Sequence, residues 1–379
     1  PTHRYPTLAL PAPLSEMEVL NELARLSERN SDLKHTLSFL GAGAYQHFVP
    51  TVVDHIVSRS EFYTAYTPYQ PEVSQGTLQA IFEYQSLICA LTGMEVTNAS
   101  HYDGATALAE GALMAYNVQR GKRSKVLLSP TIHPEYRAVV RTYVQGMPIE
   151  VAGDEDVGQA ASPAGALIDQ IDDDTCCVAV QNPDLFGALA GPNELRALAE
   201  AAHARRALLI VVGYPIALAL IQPPGAYGAD IAVGEAQPLG IGLNYGGPYL
   251  GYFSCRQEHV HKMAGRLVGQ TVDIEGQRGY VLTLSAREQH IRRERATSNI
   301  CTNQSLCALA AAVYLSALGR SGLRQVAALC YHKAHYLARQ IDQLTGYELA
   351  SSGPFFNEFV IRCPMPASKV NARLLKQSI

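Results

Sequence analysis

From Lys125 onward the sequence alternates in a way that few architectures accommodate. VLLSP, PIEVAG, CCVAVQNP, ALLIVVGYP and DIAVGEAQ are short β-rich apolar runs, and GGPYLGYFSC adds another. Between them HPEYRAVVRTYV, ALIDQI and NELRALAEAAHARR carry apolar residues at helical spacing. A strand that is apolar on both sides of its pleat must be covered on both faces, so the predicted class is α/β, a mainly parallel sheet with helices on either side. Ligands in such sheets gather at the carboxyl ends of strands. Those ends fall at Gln181-Asn182-Pro183, Gly213-Tyr214-Pro215 and Glu235-Ala236-Gln237.

The segments before this region carry strong local signals. Ser15 and Glu18 read as a capping box, with Leu14 able to staple against Val19. Val19, Leu20, Leu23 and Leu26 then mark one face of a first helix, predicted to pack on the main domain or on a partner chain. FLGAGAYQHFVP reads as a tight connector, since GAG is too short for a dinucleotide fingerprint. YTAYTPYQPEVSQG cannot continue a helix, because each proline removes a donor and forces its predecessor to be extended. It is predicted to be a stiff aromatic loop that lines something and leads into a helix over 77–92, stopped by Gly93. Asp103 is the expected cap of an alanine-rich helix running to Tyr116. That helix start could instead bind an anion, although Asp103 would occupy its positive end. Residues 286–319 open with charges, with Glu288 and Arg292 four apart as a helix-surface pair, and close in a long alanine-rich helix. FFNEFVIRC is then expected as a strand.

Composition narrows the function classes. A net charge of −4 and a pI near 6.3 give no general attraction to nucleic acid or to an anionic membrane. The eight cysteines form no CxxC pair and sit in apolar runs, so neither a disulfide framework nor a metal site is expected, and the compartment reads as a reducing cytoplasm. No apolar run is expected to reach the roughly 18 residues of a membrane helix. Length suggests 1–60 as an arm and helix, 61–325 as a large domain, and 326–379 as the start of a smaller C-terminal α+β domain that is truncated.

Several stretches together resemble one family: FLGAGAYQHFVP, YTAYTPYQPEVSQGTLQ, HPEYR, QNPDLFG, GGPYLGYF and LSAREQHIRRERATSNICTNQ. They are similar to the P-protein, or glycine decarboxylase, of the glycine cleavage system, on the side of its subunit 1, the alpha subunit. The resemblance covers the chain from about Leu14 to its end. It implies the fold-type I architecture of pyridoxal-phosphate-dependent transferases, in agreement with the alternation above. It also implies glycine as substrate, a partner beta subunit in a two-alpha, two-beta assembly, and transfer of the aminomethyl group to the lipoyl arm of H-protein.

One departure is chemical. An active enzyme of this fold holds its aldehyde cofactor on a lysine after the strand that here reads DIAVGEAQPLG. Only 7 of the 30 basic residues are lysines, and none lies between Lys125 and Lys262. The acidic partner of the pyridinium nitrogen, expected near Gly213 or Tyr214, is also missing. The resemblance therefore implies that beta holds pyridoxal phosphate, that nothing is bound covalently here, and that alpha completes the wall of a shared site. On motif position Tyr66, Thr67, Tyr69, Gln70 and Glu72 reach that interface, unless the loop is only a rigid subunit contact. His101, Asp103, His133 and Asn182 are pocket candidates whose alternative is capping or turn formation. Arg292, Arg293, Thr297 and Asn299 could meet the partner's cofactor, or form a solvated helix end. A self-sufficient transaminase or lyase using Lys262, and a non-catalytic scaffold for H-protein, are the competing readings.

Overall fold

The computed structural model describes residues 9–41, 43–64, 66–154, 163–296, 298–300 and 304–379. They form two compact units, one of Pro1–Gly41 with Cys363–Ile379 and the other of Ala42–Arg362. In the first, helix α1 (Glu16–Ser27) starts on the expected box: Ser15 Oγ accepts from Glu18 N, and Ser15 N donates to Glu18 Oε2 at 2.8 Å. No residue of α1 is buried, so its leucine stripe stays open. Within the same unit Leu37 N donates to Ser378 O, tying the two segments together.

The second unit is built on a seven-stranded sheet. Its strands are β1 (Val96–Thr97), β2 (Lys125–Leu128), β3 (Glu150–Ala152), β4 (Thr175–Asn182), β5 (Leu208–Gly213), β6 (Ile231–Glu235) and β7 (Gly251–Cys255), in the order β1-β7-β6-β5-β4-β2-β3. From β3 through β6 all pairs are parallel. Strand β7 runs antiparallel to β6, with Gly251 opposite Glu235 and Cys255 opposite Ile231. The chain beyond Cys255 therefore leaves from the edge opposite the ends of β4, β5 and β6.

Alternate residues of the central strands feed two cores. Cys177, Ala179, Ile210 and Val212 meet the alanine face of α4 (Gly104–Val118) and Val140 of α5 (Pro134–Val144). Val178, Val180, Leu209 and Val211 face Leu167 of α6 (Pro163–Ile168) and Leu195 and Leu198 of α7 (Pro192–Ala204). Each fully buried Val, Leu or Ile side chain contributes roughly 1.5–3 kcal/mol, which is why the unbroken apolar runs mark central strands. A third core joins α2 (Thr51–Val57), α3 (Gln75–Thr92) and α9 (Ser305–Asp342) through Val53, Tyr84, Ile88, Ala311 and Tyr314.

Several expectations are corrected. Helix α3 starts at Gln75 rather than Thr77, after a 3₁₀ turn at Pro71–Val73, and GGPYLGYFSC is strand only from Gly251. The hairpin of β8 (Leu267–Val272) and β9 (Arg278–Thr283) had no strong sequence signal. It leans on α3, where the Gln85 amide donates to Val268 O and accepts from Val268 N, as a neighbouring strand would. Gln75 does the same for Tyr280. Glu288 does not pair with Arg292; it is buried against Arg266, ahead of the short helix α8 (Gln289–Arg292). Helix α9 carries an 18-residue window of mean hydropathy 1.5, long and apolar enough by length and composition to cross a membrane, contrary to the expectation from unbroken apolar runs. Part of it is core: Ala308, Ala311 and Leu315 are buried. Its one non-helical residue is Gly319. Beyond it β10 (Glu348–Leu349) pairs with β11 (Ile361–Arg362), and α10 (Ala367–Leu375) belongs to the first unit.

Candidate active site

The ends of β4, β5 and β6 open on a cavity of about 50 Å³ whose lining includes Tyr45, His133, Tyr136, Asp184, Tyr214 and Glu235. No lysine or arginine is among its described lining residues. Glu235 is its most constrained member. Its carboxylate accepts from Gly104 N, the first residue of α4, at 3.0 Å, and from Gln237 N and Leu250 N, both at 2.9 Å. A helix start at the carboxyl edge of a parallel sheet is a natural phosphate seat, and here an internal carboxylate fills it. Burial nevertheless outweighs those donors and raises Glu235 to about 7. Gly104 is required for this closeness, since a Cβ there would run into Tyr136 Oη and stand 2.8 Å from Glu235 N. Burial likewise raises Asp184 to about 6, against bonds from Ala188 N and Phe186 N. Tyr45 Oη donates to Glu358 Oε2 at 2.5 Å, and Tyr214 Oη pairs with His47 Nε2 at 2.7 Å. The cavity is thus rich in carboxyl and phenol groups, able to hold protons but short of cationic charge.

A second and larger cavity, about 490 Å³, lies outside α4 and is lined by Glu110, Tyr143, Arg293, Ser298 and Asn299 among others. Its floor is Glu110, 2% exposed, whose Oε1 accepts from Ser298 Oγ at 2.6 Å. Burial raises this carboxyl to about 7. Arg293 stands at the rim with φ near +53°, a left-handed conformation unusual for arginine.

The aromatic loop presents a half-exposed surface. Tyr66 is 53% exposed, donates to Gln70 Oε1 at 3.3 Å and borders a narrow groove with Thr77, Ile81 and Leu309. Tyr69 is 43% exposed but anchored: Arg266 Nη2 donates to its hydroxyl, and the guanidinium lies over its ring, 4.9 Å from the centroid. Pro68 between them is buried, so the loop is pinned at its centre.

The model of the glycine cleavage system P-protein family matches residues 3–379. A probable glycine dehydrogenase (decarboxylating) subunit 1 of Thermomicrobium roseum is 54% identical over 378 residues, covering 100% of this chain and 84% of that protein. Its counterpart from Geobacillus kaustophilus is 53% identical over 365 residues, 96% of this chain and 80% of that protein. The chain belongs to the glycine cleavage system P-protein family. The crystal structure of a glycine decarboxylase (P-protein) in inhibitor-bound form superposes with a TM-score of 0.90 at 46% identity, over 99% of this chain and 83% of that one. Glutamate decarboxylase of Lactobacillus brevis, 14% identical with a TM-score of 0.71 over 99% of this chain and 86% of that one, shares the fold. The architecture is the fold-type I arrangement of pyridoxal-phosphate-dependent enzymes, and the chain is of the subunit 1 type of glycine decarboxylase.

Within this P-protein chain the sequence candidates fall in separate places. His133 lines the strand-end cavity; it caps α5, its Nδ1 accepting from Glu135 N at 3.2 Å. Arg293 and Asn299 line the second cavity. Thr67, Gln70 and Glu72 belong to the aromatic loop, with Glu72 exposed. Arg292 is exposed and donates from Nε to Ala286 O. Thr297 lies outside the described residues. Asp103 caps α4, its Oδ1 accepting from Thr106 N at 2.8 Å. His101 is fully buried, stacked on Phe253 with centroids 4.8 Å apart, and burial lowers it to about 3. Asn182 Oδ1 accepts from Ala190 N. In HPEYR, Arg137 and the later Arg141 both bind the buried Asp154. Lys262 is exposed at the end of a 3₁₀ turn after β7, at the sheet edge away from the cavity. Sequence reasoning missed the roles of Glu110, Glu235, Arg266 and Glu288; a single glutamate inside an apolar run, as in LAEGALM and AVGEAQ, is the signal that could have found the first two.

Proposed function

We propose that this chain is the subunit of glycine decarboxylase that carries no cofactor lysine and works with a beta subunit holding pyridoxal phosphate. The observation that carries this reading is the strand-end cavity of a P-protein chain without a lysine in its described lining, with the anion seat at α4 already taken by Glu235. The residues present there do not fit a covalently held phosphorylated aldehyde. On this reading the partner's cofactor supplies the electron sink for losing carbon dioxide from glycine. The aminomethyl group then passes to the lipoyl arm of H-protein.

This chain's own residues bind and enclose. Tyr66 and Tyr69, half-exposed on a proline-pinned loop, orient a small zwitterion and exclude water with little ordering on binding. Thr67, Gln70 and Glu72 extend that wall. Arg293 and Asn299, with Arg292 and Thr297 close to them in the sequence, supply cationic and amide contacts to anionic groups of the partner's site. His101, Asp103 and Asn182 support the backbone around the strand ends, and His133 faces the cavity. We place the complex in the cytoplasm as two alpha and two beta chains. By function, 61–325 is the large domain, with 326–379 opening the small one.

Mixing the purified chain with pyridoxal phosphate and borohydride tests this reading. No stoichiometric lysine adduct should form, and a full adduct on Lys262 would overturn it. Glycine–bicarbonate exchange should require the beta subunit, and Tyr66→Phe with Tyr69→Phe should lower exchange without loss of assembly. Unchanged exchange would make the loop a purely structural contact.

A further inference from the structure

Three segments far apart in the sequence meet at one buried ion pair. Arg266, just before β8, and Glu288, the residue preceding α8, are 3% and 6% exposed, and Nε stands 3.1 Å from Oε2. Against them lies Tyr69 of the aromatic loop, which accepts from Arg266 Nη2 and has the guanidinium over its ring. The Tyr69 ring meets the His290 ring edge-on at 5.3 Å, and His290 Nδ1 is 3.6 Å from Glu288 Oε2. The neighbouring Arg287 donates from Nη2 to Gly265 O at 3.0 Å, so two consecutive residues of the charged segment grip two consecutive residues of the hairpin's entrance.

Stability alone is a weak reason for such a pair, because desolvating two charges offsets most of their attraction. What an apolar substitute could not supply is direction. One guanidinium stands at ion-pair distance from a carboxylate and lies over a phenol ring, which ties both to the hairpin.

We propose that Arg266 and Glu288 are positioning residues, a latch that couples the aromatic loop to the charged segment so that Tyr66 and Tyr69 are presented in register with Arg293 and Asn299. Its consequence for glycine rests on the reading above that both sets face the shared site. The latch itself does not. Arg266 holds the hairpin and Tyr69 together; Glu288 orients the guanidinium and carries the segment that leads through α8 to Arg293.

Segment-resolved hydrogen exchange on the assembled alpha–beta enzyme tests the coupling. Glu288→Gln should speed exchange about tenfold both in 286–296 and in 66–72, leaving β4 and β5 at wild-type rates. It should also raise KM for glycine about tenfold with kcat changed little, a split that general destabilisation would not give. Faster exchange confined to 286–296 overturns the proposal. Should Glu288→Gln fail to fold, Tyr69→Phe removes one hydroxyl from a half-exposed ring; it should speed exchange in 286–296, and no change there is equally fatal. Coupled exchange with an unaltered KM leaves the latch standing and refutes instead the assignment of the loop to the glycine site.

Discussion

Glu110→Gln offers a quantitative test of the second cavity. The glutamate sits in the middle of α4, 2% exposed, with one short bond from Ser298 Oγ. Burial moves its carboxyl from the ordinary 4.5 to about 7. Each tenfold change in proton affinity corresponds to about 1.36 kcal/mol, so ionising this group in the folded chain costs about 3 kcal/mol more than in the unfolded chain. Between pH 4.5 and 7 the folded chain keeps a proton that the unfolded chain releases. Stability therefore falls as pH rises through that window and levels off above it. Glutamine keeps a carbonyl for Ser298 and carries no charge. The variant should match wild type near pH 4 and exceed it by up to about 3 kcal/mol at pH 8, a few degrees of melting temperature for a chain of this size. Calorimetry of both proteins across pH 4 to 8.5 measures the difference, which cancels Glu235 and the other groups titrating in the same window. A variant whose melting temperature tracks wild type throughout, or falls below it at pH 8, would show that the buried carboxylate is already neutralised and would refute the assigned cost.

Three further outcomes are expected. Gln85→Leu leaves Val268 N and O buried without their partner and should cost about 2–5 kcal/mol in denaturant unfolding; a cost under about 0.5 kcal/mol would mean water replaces the amide. Asp103→Ala removes the cap on Thr106 N and should cost about 1 kcal/mol, read by the same unfolding experiment, with no change expected in the pH dependence assigned to Glu110. Lys262→Ala, an exposed residue at the sheet edge away from the cavity, should leave glycine–bicarbonate exchange of the assembled enzyme within about twofold; a loss of about tenfold or more would reopen a catalytic role for it.

What the sequence disclosed is local. The box at Ser15 and the cap at Asp103 depend on residues three apart, and the central strands on runs that only burial on both faces explains, so both were legible. The hairpin β8–β9 was not, because its stability comes from Gln75 and Gln85 of α3, close to 200 positions earlier. Glu288 was misassigned for the same reason. A helical spacing to Arg292 offered a partner four residues away, while the actual counter-charge, Arg266, approaches from the hairpin. Strand-end logic did find the cavity, since Gln181, Gly213 and Glu235 all line it. It could not say that Glu235 turns its carboxylate onto α4, because that depends on Gly104 arriving from a distant part of the chain.

That carboxylate makes the chain's own strand-end cavity a poor seat for a phosphorylated cofactor. Placing a dianionic phosphate at the start of α4 would require Glu235 to give up Gly104 N, or to stay as a like charge in a site whose described lining holds no lysine or arginine. Restoring a lysine alone would therefore not restore the site, because the anion seat would still be filled. The chain's other distinctive groups point outward instead: two half-exposed tyrosines, one of them held by a buried arginine, and an arginine in a left-handed turn at the mouth of an open cavity. On the function proposed above, a surface fixed from behind and open in front suits a chain that completes a pocket whose reactive atoms arrive from its partner.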